Sequence, residues 1–311
     1  MSIRLDELGV LLALQDGVSA TGGMDQVEPP HFPGPLVGAC LVAIAIGAAP
    51  LAWRLAAHVA GVGRSSSASR VRSVRWGLRH VVLVAGTIVA LIFLSAFVWP
   101  PDKDDPDLTS TLVRTALALC GGALLIATIA LRLGPDRWRS LGLVLSGSLR
   151  GAVGAWLAYV SAIPGILGLA LLGHWLVEKL GIEFETQLVV KKFLELQEVD
   201  VPLVVVLGVL VMPFFEELTF RGFLQPVLVQ RTGATLGIVF TSCVFAALHG
   251  ASAFLPIFGL SLVLGLTMQV TGRLLASWAV HALHNGLVFG VLVFVRHHPE
   301  LLGHSALLAS R

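Results

Sequence analysis

Glu216, Glu217 and Arg221 stand within six residues near the end of Val201 to Leu224, an apolar run long enough to cross a bilayer. Each such charge costs roughly 2.5–3.5 kcal/mol at mid-membrane, so about 7–10 kcal/mol must be relieved by partners or water. Further along, His249, His281, His284 and Asn285 also lie inside apolar segments. Carboxylates, imidazoles and an amide are the groups that move protons and stabilise an oxyanion. The leading expectation is an intramembrane enzyme.

Helical geometry sorts the charged cluster. Glu217 and Arg221 are four positions apart, about 40° on a helical wheel, in the favoured order for an acid-to-base ion pair. Glu217 is therefore expected to be neutralised. Glu216 lies about 140° from Arg221 on the same wheel, so it is left without that partner and faces a separate cavity. It is the better candidate for a working carboxylate. Pro213, one turn earlier, cannot donate a backbone hydrogen bond, and a kink there could admit water beside the glutamate. If the chain turns back near Thr232 and Gly233, Glu216 lies about sixteen residues before the turn and His249 about sixteen after it, at matching depth. Phe245 sits one turn before His249 and could fix the imidazole. His281 and Asn285 are four apart and share a face, and together they could hold a water and donate to a developing oxyanion.

The elements that must position these groups follow from composition. The 311 residues are 56% hydrophobic and only 13% charged, with a mean hydropathy of +0.86, which excludes a water-soluble domain. A net charge of +2 is too small to suggest a nucleic-acid partner. Cys40, Cys120 and Cys243 have neither pairing nor metal-ligand spacing and read as small core residues. Eight apolar spans are expected, at 36–57, 81–99, 111–131, 151–176, 201–224, 233–250, 254–270 and 274–295. Only helices or a closed barrel satisfy the backbone in hydrocarbon, and these runs are about twice the length of a barrel strand. The expected fold class is all-α, a polytopic membrane helical bundle of about eight transmembrane helices with its catalytic core in the C-terminal half.

The chain divides into an N-terminal tail and linker (1–35), N-terminal transmembrane helices (36–177), an extracytoplasmic connector (178–200), the catalytic core (201–295) and a C-terminal tail (296–311). The tail lacks the order of a signal peptide and should stay, with Leu8 to Leu14 as an interfacial helix. Arg64, Arg70, Arg72, Arg75 and Arg79 separate the first two spans, whereas Asp102, Asp104, Asp105 and Asp107 separate the next two. The basic connector should be cytoplasmic. Alternation from there puts Arg132, Arg137, Arg139, Arg150, Arg231 and Arg273 inside, sends Glu178, Glu183, Glu185, Glu195, Glu198 and Asp200 outside, and leaves both termini extracytoplasmic.

These residues resemble the motifs of the CPBP family of intramembrane proteases (the Abi family), which includes the CAAX prenyl endopeptidases and the lysostaphin-resistance-like bacterial proteins. Glu-Glu-x-x-x-Arg matches Glu216, Glu217 and Arg221; Phe-x-x-x-His matches Phe245 and His249; His-x-x-x-Asn matches His281 and Asn285. Gly259, Gly265 and Thr271-Gly272 precede the third motif. The resemblance covers roughly Val201 to Phe294. It implies hydrolysis of a peptide bond near the cytoplasmic face, in a membrane-embedded or membrane-anchored substrate, by an integral multi-pass protein of the bacterial plasma (inner) membrane. By carry-over Glu216 would activate the attacking water, His249 would assist, and His281 with Asn285 would stabilise the oxyanion, with Glu217, Arg221 and Phe245 in support. No cofactor is certain. Glu216, His249 and His281 could ligate zinc, but the compact His-Glu-x-x-His helix is absent, so a glutamate-and-water route stands beside the metal route.

Plainer readings apply to several residues. Glu217 with Arg221 reads first as a structural pair, His284 as packing support, Arg114 as a snorkelling border residue, and the glycines of the seventh span as close-contact positions. Two other classes fit the same residues, a non-catalytic scaffold or immunity-type protein on this fold and a proton-coupled transporter. The transporter is weakened by the lack of an inverted repeat. The charge asymmetry makes a direct prediction: single cysteines placed between Arg64 and Arg79 label from the cytoplasmic side, and those between Pro100 and Thr109 only from outside. Labelling of the second connector from the cytoplasm alone would reverse the orientation.

Overall fold

The computed structural model describes residues 34–59, 73–101, 107–134, 136–181 and 188–298. Among these, regular structure is entirely helical: α1 (Gly34–Val59), α2 (Leu78–Val98), α3 (Leu108–Leu133), α4 (Ser148–Lys179), α5 (Leu188–Glu195), α6 (Val201–Thr232), α7 (Ala234–Ala247), α8 (Phe254–Thr271) and α9 (Leu274–His297). A 3₁₀ turn, Arg137–Leu141, follows α3. The protein is a polytopic helical bundle, as its composition requires. A helix lies at each of the eight expected spans. Six of them, α2, α3, α4, α6, α8 and α9, are long and apolar enough to cross a membrane by length and composition. At 14 residues, α7 is about 21 Å long, short of the roughly 30 Å hydrocarbon core. The N-terminal tail, Arg64 to Arg72 of the basic connector, and Asp102, Asp104 and Asp105 of the acidic one lie outside the described residues.

Helices meet where side chains are smallest. Gly38 of α1 lies against Gly168 of α4, where a Cβ on Gly38 would be 2.8 Å from the Gly168 carbonyl oxygen. Gly265 of α8 similarly lets Ile238 of α7 approach. Such contacts replace the hydrophobic driving force that lipid cannot supply between helices. Large apolar side chains such as Val82, Phe93 and Phe97 remain exposed on α2, as a lipid-facing surface permits. Arg114 does not snorkel free. Its Nη1 donates to the Trp99 carbonyl at 2.7 Å, and the side chain is buried. At the far end of α9, Arg296 donates to the carbonyls of Phe193, Leu194 and Leu196 and pairs with Glu198, tying down the end of α5.

The long helix α6 is interrupted by two π segments, Leu207–Val211 and Leu218–Leu224. Each comes just before a proline, Pro213 or Pro226. A proline lacks the N–H for an ordinary helical bond and its ring presses on the carbonyl four residues back, here Val209 and Gly222, both inside the π segments. Widening the helix at those points relieves the clash. The disturbance expected at Pro213 therefore takes this form. Carbonyls of the widened turns accept bonds from other elements: Asn285 Nδ2 donates to Gly208 at 2.9 Å, Trp278 Nε1 to Leu210 at 3.0 Å, and Trp76 Nε1 to Phe223 at 3.1 Å.

Trp76 also stacks on the Phe223 ring, 5.2 Å between centroids, inside a core formed with Ile126, Leu141, Leu218 and Leu274. Replacing it with phenylalanine keeps the stack and removes the N–H donor. Trp76→Phe should therefore lower unfolding free energy in detergent by about 1 kcal/mol, the usual net value of one hydrogen bond. An unchanged melting curve would show that the indole donor contributes nothing.

Candidate active site

Four helices bring their polar groups to one place. α6 supplies Glu216, Glu217 and Arg221, α7 supplies Phe245 with His249 just beyond its end, α8 supplies Ser261, and α9 supplies Ser277, His281 and Asn285. The last three are spaced four and eight residues apart and so project from one face of α9.

Glu217 is the centre of the cluster and is fully buried. Its Oε1 lies 3.0 Å from Arg221 Nη1 and 3.0 Å from His281 Nδ1, and its Oε2 accepts from Ser277 Oγ at 2.6 Å. The ion pair expected from the four-residue spacing is present. Ser277 Oγ is also 3.0 Å from the Leu264 carbonyl, but its single proton serves the nearer carboxylate. Arg221, equally buried, donates from Nη2 to Ser261 Oγ at 2.8 Å. Its Nε and Nη1 make no well-aligned hydrogen bond, and the Phe245 ring covers the guanidinium 4.4 Å away. A cation over an aromatic face is a favourable substitute at a fully buried position. One turn on, Gln225 Nε2 donates to the Gly265 carbonyl at 3.0 Å, so α6 and α8 are held in parallel register at two successive turns.

Glu216 differs from its neighbour in every respect. It is partly exposed, and the imidazole paired with it is that of His281, with Nε2 3.7 Å from Oε2. His281 is thus held between two carboxylates. Because an ionised Glu217 accepts only, Nδ1 carries the proton, and a neutral His281 turns its Nε2 lone pair toward Glu216. At 3.7 Å the two groups do not bond directly, but both can receive hydrogen bonds from one water beside them. His249 joins the cluster through Phe245. Its Nδ1 is 2.8 Å from the Phe245 carbonyl, and the Phe245 ring centroid is 4.7 Å from the His249 ring and 5.8 Å from that of His281. Since a carbonyl only accepts, His249 donates from Nδ1 and keeps Nε2 free. Asn285 uses one of its two amide N–H donors on the Gly208 carbonyl.

Zinc ligation by Glu216, His249 and His281 is not what this geometry provides. Among the described residues, no three His, Cys, Asp or Glu side chains are gathered so that they could hold a metal ion. His249 reaches the other two through the Phe245 ring rather than by direct contact, whereas Glu216 and His281 face each other. The spacing of the motifs pointed to the cluster but missed Ser277, Ser261, Trp278 and Tyr159. For Ser277 a signal existed, one helical turn before His281. Tyr159 and Trp278 carried none, because long-range bonds leave no local pattern.

A buried ion pair and an imidazole between two carboxylates thus lie together inside a helical membrane bundle. Residues 198–287 match the family of type II CAAX prenyl endopeptidase, Rce1-like, proteins. The match covers the segment that holds all three motifs, in an integral multi-pass membrane protein, and agrees with the resemblance read from those motifs. No curated protein and no solved structure matches the chain.

The burial of Glu217 separates stability from chemistry. Glu217→Gln leaves Arg221 without a counter-charge, and breaking a buried pair costs about 3–5 kcal/mol. The variant should give a markedly lower folded yield and melting temperature in detergent than Glu216→Gln. Equal stability of the two would show that Glu217 is not the electrostatic anchor.

Proposed function

We propose that this protein is an intramembrane endopeptidase that hydrolyses a peptide bond with a glutamate-activated water, near the cytoplasmic membrane face. The observation that carries this reading is the facing pair of Glu216 Oε2 and His281 Nε2, 3.7 Å apart, with the far side of the imidazole tied to buried Glu217. A water donating one proton to each turns its lone pairs outward, toward a scissile carbonyl. Glu216, partly exposed, takes the proton as attack proceeds. That proton, passed from Glu216 to His281, makes an imidazolium held between the two carboxylates, and it can then be donated to the leaving amine. Asn285 retains a second N–H for the oxyanion, and His249 offers a further base through Nε2.

Depth supports the cytoplasmic placement. His281 lies seven residues into α9 from Leu274, about 10 Å from the Arg273 end that the charge pattern puts inside. The substrate is a peptide segment embedded in or anchored to the membrane, because the surrounding helices present apolar faces to lipid.

In reconstituted vesicles, wild-type protein should cleave a membrane-anchored peptide, and Glu216→Gln should lose activity by at least ~10²-fold while staying folded, the lower range for removing acid–base catalysis. Near-normal hydrolysis by that variant would remove Glu216 as the base. No hydrolysis by the wild type on any anchored peptide would favour a non-catalytic scaffold on the same fold.

A further inference from the structure

The matched domain begins at residue 198, so α1 to α4 lie outside it. Yet α4 bonds directly to the helix that carries His281. Tyr159, the single tyrosine of the chain, is buried, and its hydroxyl lies 2.9 Å from His284 Nδ1, with the two rings edge to face. One turn earlier, Trp156 Nε1 donates to the Ala279 carbonyl at 3.0 Å. Positions 279 and 284 bracket His281.

A second helix, α6, holds α9 at the same two levels. Trp278 donates to the Leu210 carbonyl and Asn285 to the Gly208 carbonyl, both in the first π segment of α6. α9 is thus braced twice, at 278–279 and at 284–285, each time with one bond to α4 and one to α6. His281 sits between the braces. Rotation of α9 about its axis would swing Nε2 away from Glu216; Ser277 and His281 resist it through Glu217 at their own level, and the braces hold α9 on either side of that level. The Tyr159 ring also packs with Leu260, Leu264 and Val280, neighbours of Ser261, Ser277 and His281. A tyrosine O–H that donates to Nδ1 selects the Nε2–H form of a neutral His284.

We propose that Tyr159 is a positioning residue for the reaction, acting through His284 to fix the rotation of α9 and so the approach of His281 to Glu216. This rests on the endopeptidase reading. It assigns the N-terminal half a part in the chemistry. Displacements near 1 Å in a catalytic group can cost up to 10²-fold, so loss of one of the four bracing bonds should cost about tenfold in kcat.

The experiment uses the full-length protein in vesicles with the anchored peptide. Tyr159→Phe keeps the ring and deletes only the hydroxyl. We expect kcat per folded molecule to fall about tenfold with KM changed less than about twofold, the mark of a lost alignment rather than lost binding. Adding Tyr159→Phe to His284→Gln should bring no further loss, because both remove the same bond. Nitrogen-15 spectra of the histidine rings give a readout free of activity: His284 should show one tautomer in the wild type and a mixture in Tyr159→Phe. If kcat per folded molecule is unchanged in an active preparation, or if the losses multiply, the inference is overturned while the endopeptidase reading stands. A wild type that cleaves nothing overturns that reading instead, and the role for Tyr159 with it.

Discussion

The buried charge of Glu217 is the constraint on which the rest of the site depends. A carboxylate in a low-dielectric interior must be matched by a cation and by donors for its remaining lone pairs, or the helix that carries it will not pack. Arg221 supplies the charge, and Ser277 and His281 supply the donors. Each of these demands partners of its own. Arg221 is met by Ser261 and the Phe245 ring, which draws α7 and α8 against α6. One neutralised carboxylate therefore fixes four helices, and the imidazole of His281 is oriented as a by-product. A pair that reads as structural thus sets the side of His281 that faces the neighbouring Glu216.

The backbone of α6 meets a second demand. Two prolines in the interior of one membrane helix would leave carbonyls without partners, which lipid does not tolerate. The π segments absorb the strain, and indole and amide side chains take up the freed carbonyls. The same bonds that satisfy the backbone set the rotation of α9 against α6. Backbone satisfaction and active-site alignment are thus one set of contacts.

Much of this was legible in the sequence where the governing interaction is local. The Glu217–Arg221 pair follows from a four-residue spacing, and the common face of His281 and Asn285 from the same rule. The helical class follows from hydropathy. What depends on the third dimension did not show. Helical periodicity gave Asn285 to an oxyanion and had no means of revealing that one of its N–H groups caps Gly208 in a π turn. Sequence spacing also allowed a zinc set of Glu216, His249 and His281, but which of these three side chains gather depends on tertiary packing, and among the described residues no three potential ligands do. The eight apolar runs were visible, but the short length of α7 was not, because the apolar run continues past the helix end into the turn before His249.

The central claim is that Glu216 and His281 act as one unit on a single water. A double-mutant cycle on hydrolysis measures this directly, comparing Glu216→Gln, His281→Asn and the double variant as kcat/KM per folded molecule in the same vesicles. Groups that act as a unit are strongly non-additive. The account predicts that the double variant is no slower than the slower single variant. Losses that multiply would contradict it, since Glu216 and His281 would then contribute independently.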